Sequence, residues 1–112
     1  MLGIAERIRR AVLSWPGTQS APHRYGGVEF RVGRAEIGHL HGSHLVDIPF
    51  PRRVRDELVT AGRARPHHVL PESGWVSVPI AGEADVEAVI ELLKLNYERL
   101  AARHGGLRSV ER

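Results

Sequence analysis

The chain has no cysteine, which excludes disulfides and thiolate chemistry and leaves the redox compartment open. Lysine is almost missing as well: Lys94 is the only one, so the positive charge is nearly all arginine. The formal net charge is only +3 at pH 7. That balance is too small to argue for a nucleic-acid partner, and the arginines are spread rather than striped; a non-catalytic module binding protein or nucleic acid through an arginine-rich face stays open as an alternative. No apolar run approaches the length of a membrane span, and Arg7, Arg9 and Arg10 sit inside an amphipathic pattern unlike a signal peptide. A cytoplasmic protein without a membrane partner is the expectation. No glycine cluster has phosphate-loop spacing, and no Ser/His/Asp arrangement stands out. Repeats and low-complexity tracts are absent too.

What is present fits one domain over residues 1–112, with a core of modest size over about 2–104. Residues near 2–14 read as a helix, with Ala5, Ile8 and Val12 on one face and Trp15-Pro16-Gly17 ending it. A polar, proline-containing loop runs on to Gly26-Gly27. Val28–Val32 alternates as a strand, and Ala35–His41 with His44–Ile48 reads as a hairpin. Pro51 opens a short helix that Gly62 closes, with Val54, Leu58 and Ala61 as its buried stripe. His67–Leu70 offers a short extended piece, and Trp75–Ile80 a fourth strand. Val86, Val89, Ile90, Leu93, Tyr97 and Leu100 keep helical spacing to the break at Gly105-Gly106. The order αβββαβα predicts an α+β fold: an antiparallel sheet of about four strands with helices packed on one face.

The chemistry concentrates in Glu36-Ile37-Gly38-His39-Leu40-His41-Gly42-Ser43-His44. Gly42-Ser43 reads as a two-residue type II′ turn, which pairs His41 with His44 and His39 with Val46. Alternation then puts Ile37, His39, His41, His44, Val46, Ile48 and Phe50 on one face, and Glu36 and Asp47 on the other. One reading is a zinc site of His39, His41 and His44. Another is acid–base work, with His39 as base and His41 or His67 as its partner. A third makes His39 a core histidine satisfied by a backbone carbonyl, with His41 and His44 wet at the hairpin tip. The oligomeric state is open.

Two further segments carry candidates. Asp47-Ile48-Pro49-Phe50-Pro51-Arg52-Arg53-Val54-Arg55 crowds arginines at a helix start, where free N–H groups already favour anions. Arg52 and Arg53 could hold a carboxylate or phosphate there, or Asp47, Asp56 and Glu57 could neutralise them on a solvated face. The stiff loop Pro66–Gly74 precedes Trp75, which could stack on a flat ligand or serve the core. His23 and Arg24, in Pro22-His23-Arg24-Tyr25-Gly26-Gly27, could line the same site.

These motifs, in this order, resemble the luciferase-domain family: the domain of fungal luciferases and, more closely, small bacterial proteins. Ser-Trp-Pro-Gly, Pro-His-Arg-Tyr-Gly-Gly-Val-Glu-Phe and Asp-Ile-Pro-Phe-Pro belong to the pattern, as do Glu-Ile-Gly-His-Leu-His, His67 after Gly62, and Trp75 opening a strand. The likeness covers roughly residues 10 to 100. More distantly, the strand–helix ending is similar to the MmcQ/YjbR-like α+β group. The family resemblance implies cofactor-independent oxygenation of an enolic or phenolic substrate such as a hydroxypyrone, with O₂ as co-substrate and, in the fungal enzymes, light emission. Its matching positions are Glu36, His39, His41, His67 and Trp75. Neither an N-terminal membrane-type segment nor insertions like those of the fungal proteins are expected here. The combined expectation is a histidine-lined cleft for a flat, anionic or enolic small molecule. His39, His41, His67 and Glu36 would be catalytic; Trp75, Arg52, Arg53, His23, Arg24 and Asp47 would bind the ligand.

Overall fold

The computed structural model describes residues 2–23 and 26–104. Its elements run α1 (Ile4–Leu13), β1 (Thr18–Pro22), β2 (Val28–Val32), β3 (Ala35–His41), β4 (Leu45–Pro49), α2 (Arg52–Thr60), β5 (Arg65–Pro66), β6 (Trp75–Pro79) and α3 (Val86–His104). The break expected at Gly105-Gly106 lies outside the described residues. All neighbouring strands are antiparallel, in one six-stranded sheet of order β1-β2-β3-β4-β6-β5. The expected α+β class holds; the strand count does not. The polar segment Thr18–Pro22 pairs along β2 as an edge strand, where proline's missing N–H is harmless. Arg65–Pro66 supplies a second edge beside β6, just before the extended piece expected at His67–Leu70.

One face of the sheet is the core. Phe30, Leu40, Val46, Ile48 and Val76 are buried there with Ile8 and Val12 of α1 and Val89, Leu93 and Tyr97 of α3. Helix α3 lies across β2, β3 and β4, α1 packs on α3 and β1, and α2 sits against β5 and β6. Gly38 allows this close approach. A Cβ there would stand 2.9 Å from the Asp47 carbonyl oxygen and 3.0 Å from a Leu93 methyl.

Two departures from plain alternation decide what the other face carries. The β3–β4 loop is three residues long, not two: His41 pairs with Leu45, Leu40 with Val46 and His39 with Asp47. Gly42 takes φ +56 in that loop, and the His44 N–H closes it on the His41 carbonyl at 3.3 Å. One extra loop residue inverts every β4 side chain relative to the two-residue reading. Val46 and Ile48 therefore turn to the core, Asp47 turns to the histidines, and His44 is left exposed on the turn.

The second departure is a β-bulge. Phe30 pairs with Gly38 but Arg31 pairs with Glu36, so Ile37 is an extra residue in β3. Ile37 and Gly38 both serve the core side, and Glu36 swings onto the face of His39, three residues away. Bulges re-aim side chains in this way. Asn96 of α3, wholly buried, donates from Nδ2 to the Ile37 carbonyl at 2.9 Å and pins the irregular residue.

Candidate functional site

The sheet face away from α1 and α3 bears a cleft of about 420 Å³. Strands β3 and β4 give it a floor of His39, His41 and Asp47, with Glu36 beside them; the loop before β6 brings His67 and His68. Val69, Leu70 and Trp75 form apolar walls. His23, from the segment after β1, stacks on His39 with ring centroids 4.1 Å apart.

Asp47 is the hub. It is 1 % exposed, and its Oδ1 accepts from the Ser77 hydroxyl at 2.7 Å. Four imidazole Nε2 atoms surround its Oδ2: His41 at 2.9 Å, His68 at 3.2 Å, and His39 and His67 at 3.3 Å each. Burial opposes ionisation of this carboxyl. Hydrogen bonds from His39, Ser77, His41 and His68 overcome that and hold its pKa far below the usual carboxylate range.

His39 has carboxylates at both ring nitrogens: Glu36 Oε2 lies 2.6 Å from Nδ1, and Asp47 faces Nε2. Burial pushes its pKa down, but the hydrogen bonds to Asp47 and Glu36 and their charges outweigh burial and raise it to about 9. His67 is the opposite case. Its Nδ1 accepts the backbone N–H groups of Val69 and Leu70 at 3.1 and 3.0 Å. The neutral ring's proton therefore sits on Nε2, facing Asp47. Burial is the main cause of its lowered pKa.

Trp75 is a cleft wall rather than a core aromatic: its ring lies 5.3 Å from that of His39 and 5.7 Å from that of His67. The core role falls to Trp15, which packs against Tyr97 at 5.2 Å.

Of the residues expected at the site, the structure brings His39, His41, His67, Glu36, Trp75, His23 and Asp47 to one cleft. His44 is on the exposed turn, so the expected His39/His41/His44 set does not assemble; its geometry fails because the loop has three residues. Arg52 and Arg53 are exposed on the first turn of α2 and are not among the residues lining the cleft. The neighbouring Arg55 is half-buried and donates to the Pro71 carbonyl, bracing the loop that carries His67 and His68. Arg24 lies outside the described residues. Sequence reasoning missed His68, Ser77 and Asn96 as site or supporting residues. Ser77 is a lone hydroxyl between Val76 and Val78, and Asn96 interrupts the apolar stripe of α3; both are polar residues at buried positions.

The luciferase-domain family model matches residues 34–96. The chain belongs to the luciferase-domain family. That stretch contains Glu36, His39, His41, Asp47, His67, His68, Trp75 and Ser77, and also Asn96; His23 alone of the cleft's histidines lies before it. No curated protein and no solved structure matches the chain. Among the described residues, no helix is long and apolar enough to cross a membrane.

Proposed function

We propose that this luciferase-domain protein binds a flat enolic or phenolic molecule, a hydroxypyrone being the prototype, and brings it into reaction with O₂. One observation carries the reading: a floor of histidines and carboxylates lies under walls of Trp75, Val69 and Leu70, in a cleft sized for a one- or two-ring compound. The ligand's ring lies along Trp75 and its hydroxyl points at the floor. His39 is a poor proton acceptor, because both its nitrogens already face carboxylates. His67 is equally unsuited, with Nδ1 committed to two backbone donors.

His68 is half-exposed, and Asp47 orients it through Nε2. In this reading its Nδ1 takes the hydroxyl proton. The resulting anion donates an electron pair from its nucleophilic carbon to O₂. A C–O bond forms, O₂ is reduced to the peroxide level, and the terminal peroxide oxygen takes up a proton. Arg52 and Arg53 have no part in this scheme.

The test is a titration with a hydroxypyrone and its O-methyl ether, followed by Trp fluorescence and by O₂ uptake. The hydroxy compound is expected to bind and consume O₂, the ether to do neither, and His68→Ala to lose uptake while retaining binding. Equal binding of the ether, or uptake undiminished in His68→Ala, would overturn the scheme.

A further inference from the structure

We propose that the cleft floor is a divalent transition-metal site, with His39 Nε2, His41 Nε2 and Asp47 Oδ2 as its protein ligands. The site stands on its own geometry and does not depend on the ligand proposed above.

Donors are in surplus around Asp47. A carboxylate oxygen offers about two lone-pair positions, yet four imidazole nitrogens lie within 3.3 Å of Asp47 Oδ2. His67 uses one of those positions, since its Nε2 carries the proton. The remaining imidazoles cannot all donate to the same atom. A cation relieves the crowding: the His39 and His41 nitrogens then offer lone pairs to the ion, and only His67 and His68 still donate to Asp47.

The spacing of the donor atoms also suits one ion. Ligand atoms about 2.0–2.1 Å from one ion stand about 2.9 Å apart at a right angle and about 3.4 Å apart at a tetrahedral angle. His41 Nε2 and His39 Nε2 are 2.9 and 3.3 Å from Asp47 Oδ2, and His39, His41 and Asp47 can each offer a ligand atom within 4.8 Å of the other two.

The surrounding shell supports the same three ligands. Glu36 accepts from His39 Nδ1–H at 2.6 Å, which leaves the Nε2 lone pair for an ion; the carboxylate–histidine–metal relay has this arrangement. Ser77 occupies Asp47 Oδ1 and leaves Oδ2 for the ion. Two carboxylates, Asp47 and Glu36, balance a doubly charged cation. Two histidines and one carboxylate leave open coordination positions, the pattern of ions that bind a substrate oxygen or O₂ directly. Those positions face the cleft, with His68 at its rim.

The experiment uses untagged full-length protein, stripped with a chelator and titrated calorimetrically with Zn²⁺ and spectroscopically with Co²⁺. One ion per chain is expected, with a visible Co²⁺ spectrum of mixed nitrogen and oxygen ligation. Glu36→Gln is expected to weaken binding by about 10–100-fold and His41→Ala by more, while His44→Ala leaves it unchanged. Circular dichroism confirms that the variants fold; His41 is only half-buried, so its truncation is the milder change. Absence of stoichiometric binding by either ion would overturn the proposal, as would binding lost in His44→Ala but kept in His41→Ala.

Discussion

Asn96→Ala separates the fold from the site most cleanly. The Asn96 amide reaches from α3 to the carbonyl of Ile37, the extra residue of the β3 bulge, and its Oδ1 accepts from Arg99 Nε–H at 3.0 Å. Extending the β3–β4 register puts Pro49 opposite Ile37, and proline has no N–H to offer that carbonyl. Truncation strands a buried acceptor at about 1–3 kcal/mol. Better helix propensity of alanine returns up to ~0.7 kcal/mol. A net loss of about 1–2 kcal/mol lowers the midpoint of thermal unfolding by roughly 5–15 °C for a domain of this size.

The functional consequence is more specific than the destabilisation. Without its brace the bulge can relax toward plain alternation, which carries Glu36 off the His39 face. Co²⁺ affinity should then fall by about as much as in Glu36→Gln, within the same roughly 10–100-fold range. The double variant should be no weaker than either single one, because both remove the same contact. Thermal denaturation and Co²⁺ titration of the four proteins decide it. Fully additive losses in Co²⁺ affinity, or a destabilised Asn96→Ala with unchanged affinity, would refute the claim that the bulge delivers Glu36.

Three other outcomes follow. In chelator-treated protein the raised His39 pKa of about 9, against ~6.5 unfolded, contributes stability that is fully present below about pH 6.5 and lost as pH rises through about 9. At ~1.4 kcal/mol per unit that is at most about 3–4 kcal/mol; urea unfolding across this range should show the decline, and Glu36→Gln should flatten it. Gly38→Ala forces its new methyl against the Asp47 carbonyl and Leu93, costing about 1–3 kcal/mol and weakening Co²⁺ binding through the displaced β4, as calorimetry would record. Trp75→Ala, at a half-buried position outside the apolar core, should cost only about 1–2 kcal/mol in chemical denaturation while abolishing hydroxypyrone binding.

The strands and helices that bury an apolar face were legible in the sequence, because alternation and helical spacing report burial directly. The His-x-His pair on one face followed from the same alternation; the stiff loop followed from its prolines and Gly74, and Trp75 stayed open between a ligand-stacking and a core role. The edges were not legible: Thr18–Pro22 is polar and carries a proline, so only its pairing with β2 reveals a strand. The site's carboxylates were misplaced for two local reasons. Gly42-Ser43 satisfies a two-residue turn, but His44 joins the loop, and that one-residue difference moves Asp47 from the opposite face to the centre of the site. The bulge at Ile37 does the same for Glu36, and nothing in the local sequence announces it. Its signature is distant: an asparagine in an otherwise apolar helix stripe, 59 residues along the chain.

Elemental analysis of untagged, freshly purified protein, followed by reloading of the stripped form with Zn²⁺, tests the central claim most directly. Close to one divalent first-row ion per chain is expected, either retained through purification or restored on reloading, and lost in His41→Ala. Protein that is metal-free as purified and takes up no Zn²⁺ at a one-to-one ratio would contradict it.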